Sequence, residues 1–347
     1  MTMHSSTYAN AIREATSQLL AGDDRVFVIG QGLWSPWYVG SSMTDLDVEF
    51  GKDRVLDSPV CENATTAAAI GAALAGMRPI VVHPRMDFML LAMDPIINQA
   101  SNWSYLFAGR ISVPLVIRPI INRGGQQGAQ HSQAMQALLQ HIPGLIVVMP
   151  ATPYDAKGLL IAACRNENPV VYIDDRWLYG LTEDVPDEMY EVPIGQAAVR
   201  REGSDVTIIA SSWMAAESLR AAETLAGKGI GAEVIDLRSL KPWDRETACR
   251  SARKTGRVIV ADGTYATGGV AAEIAATIGA ACFGDLKRPV VRVTLPDAPA
   301  PTSAPLEAAY YPTADTIVAA AERVTGNSAA EGPHRPSAEA PGQILVG

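Results

Sequence analysis

The feature that most constrains this chain is a repeating alternation. Short apolar runs rich in β-branched residues are each followed by a longer stretch whose apolar positions recur with helical spacing. VFVIG (apolar core 27–30), PIVVH (79–83), VPLVIRPI (113–120), LIVVM (145–149) and PVVYID (169–174) read as strands. Helices are predicted between them over 62–76, 86–109, 131–141 and 154–166. Strands that are apolar at nearly every position must be covered on both faces, so the pattern specifies α/β architecture: a mostly parallel sheet with helices on both sides.

The alternation is interrupted once. Residues 185–204 are polar and proline-bearing and read as a linker. It then restarts with VTIIAS (206–211), GAEVIDL (231–237), RVIVAD (257–262) and VVRVTL (290–295), with helices predicted over 214–228, 244–255 and 268–281. The expected organisation is two α/β domains, 1–184 and 205–326, joined by that linker. A Pro-, Ala-, Gly- and Ser-rich tail at 327–347 is expected to be flexible and to carry no chemistry.

Composition removes several function classes. With 48% hydrophobic and 19% charged residues the chain is built to fold. Its net charge of −9, with Lys and Arg scattered, argues against nucleic-acid binding. The four cysteines, Cys61, Cys164, Cys249 and Cys282, lie far apart without CxxC spacing, and the first residues are polar; this reads as a reduced, cytoplasmic protein. No uncharged apolar stretch reaches the roughly 18 residues of a membrane span.

Three stretches carry candidate chemistry. In SPVCENATTAAAIGAALAGMRP (58–79), Glu62 stands alone at the start of a helix of small residues, Ala64, Ala67, Ala68, Gly71, Ala72 and Ala75. Such a helix lets a backbone or a flat ligand approach closely. A carboxylate at a helix N-terminus is also simply favourable to the macrodipole, by ~0.3–1 kcal/mol. The loop NRGGQQGAQHSQ (122–133) has three glycines and then His131, and follows a parallel strand at the end where open α/β sheets bind ligands. HPRMDFMLL (83–91) carries Arg85, Met86 and Phe88 into the next helix. Taken singly, each stretch also has a plain structural reading: a solvated turn for His131, core packing for Phe88.

Together with PGLIVVMPATPYDAKGLLIAACRNENPVVYID and LPDAPAPTSAPLEAAYYPTADTIVAAAERV, these stretches resemble the beta chain of the thiamine-diphosphate-dependent 2-oxo acid dehydrogenases, the decarboxylating component of the pyruvate and branched-chain complexes, which is related to transketolase. The resemblance runs in one register from about residue 5 to 325. It implies a pyrimidine-binding domain followed by a transketolase C-terminal-like domain. It also implies that Glu62 contacts a ring nitrogen of the cofactor's aminopyrimidine, that Phe88 stacks on that ring, and that His131 lines the substrate channel and acts in catalysis. A carboxyl held away from water favours its protonated form, which suits a group that must share a proton with a heterocycle.

The resemblance further implies a structural potassium ion on the carbonyls of Leu115, Ala163 and Asn166 with Asn168. The family's Mg2+ and diphosphate segment, Gly-Asp-Gly followed by Asn, has no counterpart here, so the resemblance assigns Mg2+ to a partner alpha chain in an α2β2 heterotetramer, with a lipoyl acyltransferase as acceptor. Gln31, Arg85 and Met86 depart from the family pattern near the expected substrate channel. They motivate an alternative, a two-subunit carboligase or transketolase-like enzyme that passes its fragment to an aldehyde or sugar. A second alternative is a non-catalytic assembly subunit.

Overall fold

The computed structural model describes residues 2–326; the tail assigned to 327–347 lies outside them. The strands of the first half form one sheet in the order Val55–Asp57, Val26–Gly30, Arg78–His83, Val116–Ile121, Val170–Tyr172, Ile146–Val148. All of these pair in parallel, with Ile29 opposite Val81 and Val82 opposite Arg118. The short Asp174–Asp175 strand continues alongside Ile120 and Ile121. Val26–Gly30 and Arg78–His83 approach so closely that a Cβ on Gly30 would meet the Val82 carbonyl oxygen at 2.4 Å, which is why glycine ends that strand.

The second half forms a five-stranded sheet in the order Ala198–Arg201, Ala232–Asp236, Val206–Ala210, Val258–Tyr265, Val291–Leu295. Only the Ala198–Arg201 edge strand is antiparallel. Ser239–Lys241, although it follows the second domain's strands in sequence, pairs antiparallel with Ile146–Val148 and extends the first sheet. The stretch read as a linker carries the Ala198–Arg201 strand and the last two residues of the Thr182–Pro186 strand. One hydrophobic core includes Val81, Ile117 and Val147 from the first sheet with Ile209, Ile235 and Val258 from the second, so the two halves share packed side chains. On the other face of the first sheet the helices Tyr8–Gly22 and Pro153–Arg165 bury Tyr8, Ile12, Leu159 and Leu160. Thr152 caps the latter by accepting from the Asp155 amide, and Pro153 opens it.

Two predicted helices are corrected. The one expected over 86–109 is broken into a turn of α-helix at Met86–Met89, a 3-10 turn at Leu90–Ala92, a π-helical segment at Pro95–Ala100 and a short helix at Trp103–Leu106. Ser101 Oγ and Asn102 Nδ2 both donate to the Ile97 carbonyl, competing with the backbone ladder. The helix expected over 131–141 is confined to Gln136–His141. The amides of Gln133 and Met135 are drawn instead to Asp87 Oδ1 and Met86 Sδ. No described helix is long and apolar enough to cross a membrane.

Candidate active site

Glu62 is the first residue of the helix Glu62–Leu74, and it is only 8% exposed. No described residue hydrogen-bonds to its carboxylate or pairs with it as a cation. On the outer side of the helix Ala64, Ala67, Ala68 and Gly71 are exposed, and a Cβ on Gly71 would meet nothing within 4 Å. One turn on from Glu62, Thr66 Oγ1 lies 3.3 Å from Nε2 of His83, the buried last residue of its strand. Burial lowers the His83 pKa to about 4, so its imidazole is neutral near pH 7.

The segment 86–92 packs against the start of the Glu62 helix, where Asn63 Nδ2 donates to the Leu91 carbonyl at 3.3 Å. It presents Phe88, half-buried, whose ring meets that of His131 edge to face with centroids 5.2 Å apart. His131 sits in a turn, its amide donating to the Gly128 carbonyl at 3.3 Å. Asp87 fixes the turn to the loop: its Oδ1 accepts from the Gln133 amide at 3.1 Å and from Gln133 Nε2 at 2.9 Å. Glu62, Phe88 and His131 are thus carried by three segments that bond to one another.

The substrate-channel residues divide. Met86 is fully buried with its sulfur against the Met135 amide, so it shapes the turn from behind and does not line open space; its side chain is apolar and the core takes it. Arg85, half-buried, faces Asn122, whose side-chain oxygen lies 2.8 to 3.1 Å from the guanidinium nitrogens. Gln31 Nε2 donates to the Tyr38 hydroxyl at 2.9 Å. Tyr38 in turn accepts at its carbonyl from Arg176. Arg176, Tyr38 and Asn122 escaped the sequence reading; the only available signal was the charged DDR that closes the strand at 174–176, at the ligand-binding end of the sheet.

The residues read as potassium ligands do not form a free cage. The Leu115 carbonyl accepts from the Val170 amide at 2.9 Å and that of Ala163 from the Asn166 amide at 3.2 Å. Arg78 Nη1 donates to the carbonyls of Cys164 and Asn166 at 3.0 and 3.2 Å, and Asn168 is exposed. Among the described residues no cluster of three or more His, Cys, Asp and Glu side chains suits a metal ion. Two clefts, of about 410 and 580 Å³, are lined by His4, Arg13 and Glu14 and by Gln140, Lys241 and Glu273; neither includes Glu62, Phe88 or His131.

Glu62 at a helix start, the Phe88 ring and His131 are thus carried on connected segments at the carboxyl ends of parallel strands. The family profile for the transketolase pyrimidine-binding domain matches residues 4–181, and that for the transketolase C-terminal domain matches 195–317. The chain is 41% identical to the beta subunit of acetoin:2,6-dichlorophenolindophenol oxidoreductase of Cupriavidus necator, over 90% of this chain and 95% of that one. It is 40% identical to the mitochondrial pyruvate dehydrogenase E1 component subunit beta-2 of Oryza sativa subsp. japonica, over 91% and 85%, and 39% identical to the 2-oxoisovalerate dehydrogenase subunit beta of Bacillus subtilis, over 88% and 94%. Among solved structures, a split-gene transketolase described as an inactive beta4 tetramer superposes with a TM-score of 0.74 at 25% identity, covering 92% of this chain and 97% of that one. The chain belongs to the transketolase-like family, and within it to the beta subunits of 2-oxo acid dehydrogenase E1 components.

Proposed function

We propose that this chain is the pyrimidine-binding half of an enzyme that decarboxylates a 2-oxo acid with thiamine diphosphate and passes the acyl group to a lipoyl acceptor. An alpha subunit completes the site in an α2β2 tetramer and holds the diphosphate and Mg2+. The carrying observation is Glu62: a residue only 8% exposed at a helix start, with no hydrogen-bond or ion-pair partner among the described residues. A sheltered carboxylate of this kind gains most from a partner that a ligand brings.

When bound, thiamine diphosphate supplies the nucleophile and the electron sink for loss of carbon dioxide. Glu62 holds a proton at its carboxyl for a ring nitrogen. Phe88 offers an aromatic face for stacking. The small side chains Ala64, Ala67 and Ala68 leave the Glu62 helix open to close approach. His131 binds the substrate or gives it a proton, a role supported by its contact with Phe88. A structural potassium ion on the carbonyls of Leu115, Ala163 and Asn166 with Asn168 would share the Asn166 carbonyl with Arg78.

Relatives named for acetoin, a neutral hydroxyketone, favour a second reading in which the fragment comes from or goes to an aldehyde. The chain reconstituted with its alpha subunit, assayed in parallel with a lipoyl domain and with aldehyde acceptors, separates the two. Acyl transfer to the lipoyl domain supports the first reading; turnover with aldehydes alone overturns it.

A further inference from the structure

Four arginines gather at the carboxyl ends of the central strands: Arg85, Arg118, Arg123 and Arg176. Two are neutralised inside the protein. Arg118 pairs with Asp174 at 2.7 Å and Arg123 with Asp175 at 2.7 Å, all four side chains essentially buried. Arg85 and Arg176 form no ion pair with any described residue. Arg85 has only oxygen dipoles, the Pro84 carbonyl at 3.2 Å and the side-chain oxygen of Asn122. Arg176 gives one nitrogen to the Tyr38 carbonyl, while its Nε is buried without an acceptor.

Both guanidinium groups are half-buried. Burial, and then repulsion from Arg176, hold Arg85 below the ordinary arginine value. The carboxylate acting on Arg85, Asp87, forms no ion pair with it: Oδ1 accepts from Gln133, and Oδ2 is buried without a hydrogen-bond partner. Two like charges held half-buried, with no ion-pair partner among the described residues, are unfavourable on their own and become favourable once an anion lies between them. The planar fork of each guanidinium suits a carboxylate or a phosphate oxygen pair. Their place is also specific: Arg85 precedes the turn that bears Phe88, and its carbonyl accepts the Phe88 amide at 3.2 Å.

We propose that Arg85 and Arg176 form a subsite for a second negative charge on the substrate, a carboxylate or phosphate at the end remote from the reacting 2-oxo acid group. The inference rests on the decarboxylase reading above and narrows it. Strand register sets the two arginines in neighbouring loops, His83 standing opposite Pro119 and Ile121 opposite Asp175, and Tyr38 joins Gln31 to the Arg176 side through its hydroxyl and carbonyl. Substrates that end in a methyl group leave the two charges uncompensated and are disfavoured.

The test uses the complex with the alpha subunit, loaded with thiamine diphosphate and Mg2+. Its kcat/KM is compared for 2-oxovalerate, for 2-oxoglutarate, and for a 2-oxo acid of similar length ending in phosphate. One of the two anionic substrates is expected to exceed 2-oxovalerate by tenfold or more, and which one wins distinguishes carboxylate from phosphate. Raising the salt should lower kcat/KM for that substrate and leave 2-oxovalerate little changed. Arg85→Met and Arg176→Met, each checked for assembly by size and melting, are expected to collapse the ratio towards one, with Arg85→Lys restoring part of it. Equal kcat/KM for all three in the unaltered complex overturns the subsite and leaves the decarboxylase reading standing, whether or not the variants fold. No turnover of any 2-oxo acid overturns both.

Discussion

Phe88 and His131 stand edge to face, with ring planes at 83° and centroids 5.2 Å apart, although 43 residues of sequence and a strand separate them. The contact is held from below by Asp87, which binds the amide and side chain of Gln133. A residue assigned to stacking and one assigned to the substrate channel therefore form one unit, and a change in either moves the other.

Replacing Phe88 by Ala removes the ring offered to the aminopyrimidine and the edge that positions His131. Aromatic pairs of this geometry contribute about 0.5–1.5 kcal/mol beyond area burial. The assembled complex carrying Phe88→Ala is expected to bind thiamine diphosphate roughly 3- to 10-fold more weakly, measured by cofactor titration, and to lose turnover as well. Unchanged cofactor affinity speaks against the stacking role.

His83 gives a pH signature in stability. Burial depresses its pKa from 6.5 to about 4 in the folded chain. Between those values the unfolded chain takes up a proton that the folded chain refuses. Stability is therefore fully present above about 6.5 and falls as pH drops through that window, by about 3 kcal/mol at most. Urea midpoints at pH 7, 5.5 and 4.5 should show the decline, and His83→Gln should flatten the part of it that the imidazole causes.

The broken helical segment leaves large apolar side chains in water. Leu91 is 66%, Tyr105 87% and Leu106 67% exposed. Exposed apolar groups gathered on one segment mark an interface. Leu106→Glu is expected to weaken assembly with the alpha subunit by tenfold or more while leaving the fold of the chain intact, checked by analytical ultracentrifugation and far-UV circular dichroism.

Most of the architecture was legible because strand and helix periods differ so clearly in this sequence. Pro153–Arg165, for example, announces itself through Thr152, Pro153 and a following run of apolar positions. The broken 86–106 segment carried one legible signal that the spacing overrode, Pro95, which cannot continue a helical ladder and opens the π-helical segment; the return of the Ser101 and Asn102 side chains to one carbonyl is not revealed by spacing. Ser239–Lys241 joins the first sheet from the far half of the chain, a long-range pairing with only three residues to signal it. At the site, Glu62 stood out as the one carboxylate in a run of small apolar residues, although a helix start alone favours one. Met86 misled, since a residue next to Arg85 in sequence turns to the opposite side. The Arg85–Asn122 and Arg176–Tyr38 contacts were invisible because each joins two separate loops.

The central claim is that the lone carboxylate of Glu62 handles a proton for the cofactor. Glu62→Gln keeps the shape and removes that capacity. In the reconstituted complex, the account predicts that 2-oxo acid decarboxylation falls by about 10²- to 10⁴-fold while the tetramer assembles as before. Decarboxylation by the Glu62→Gln complex at the rate of the unaltered one contradicts it.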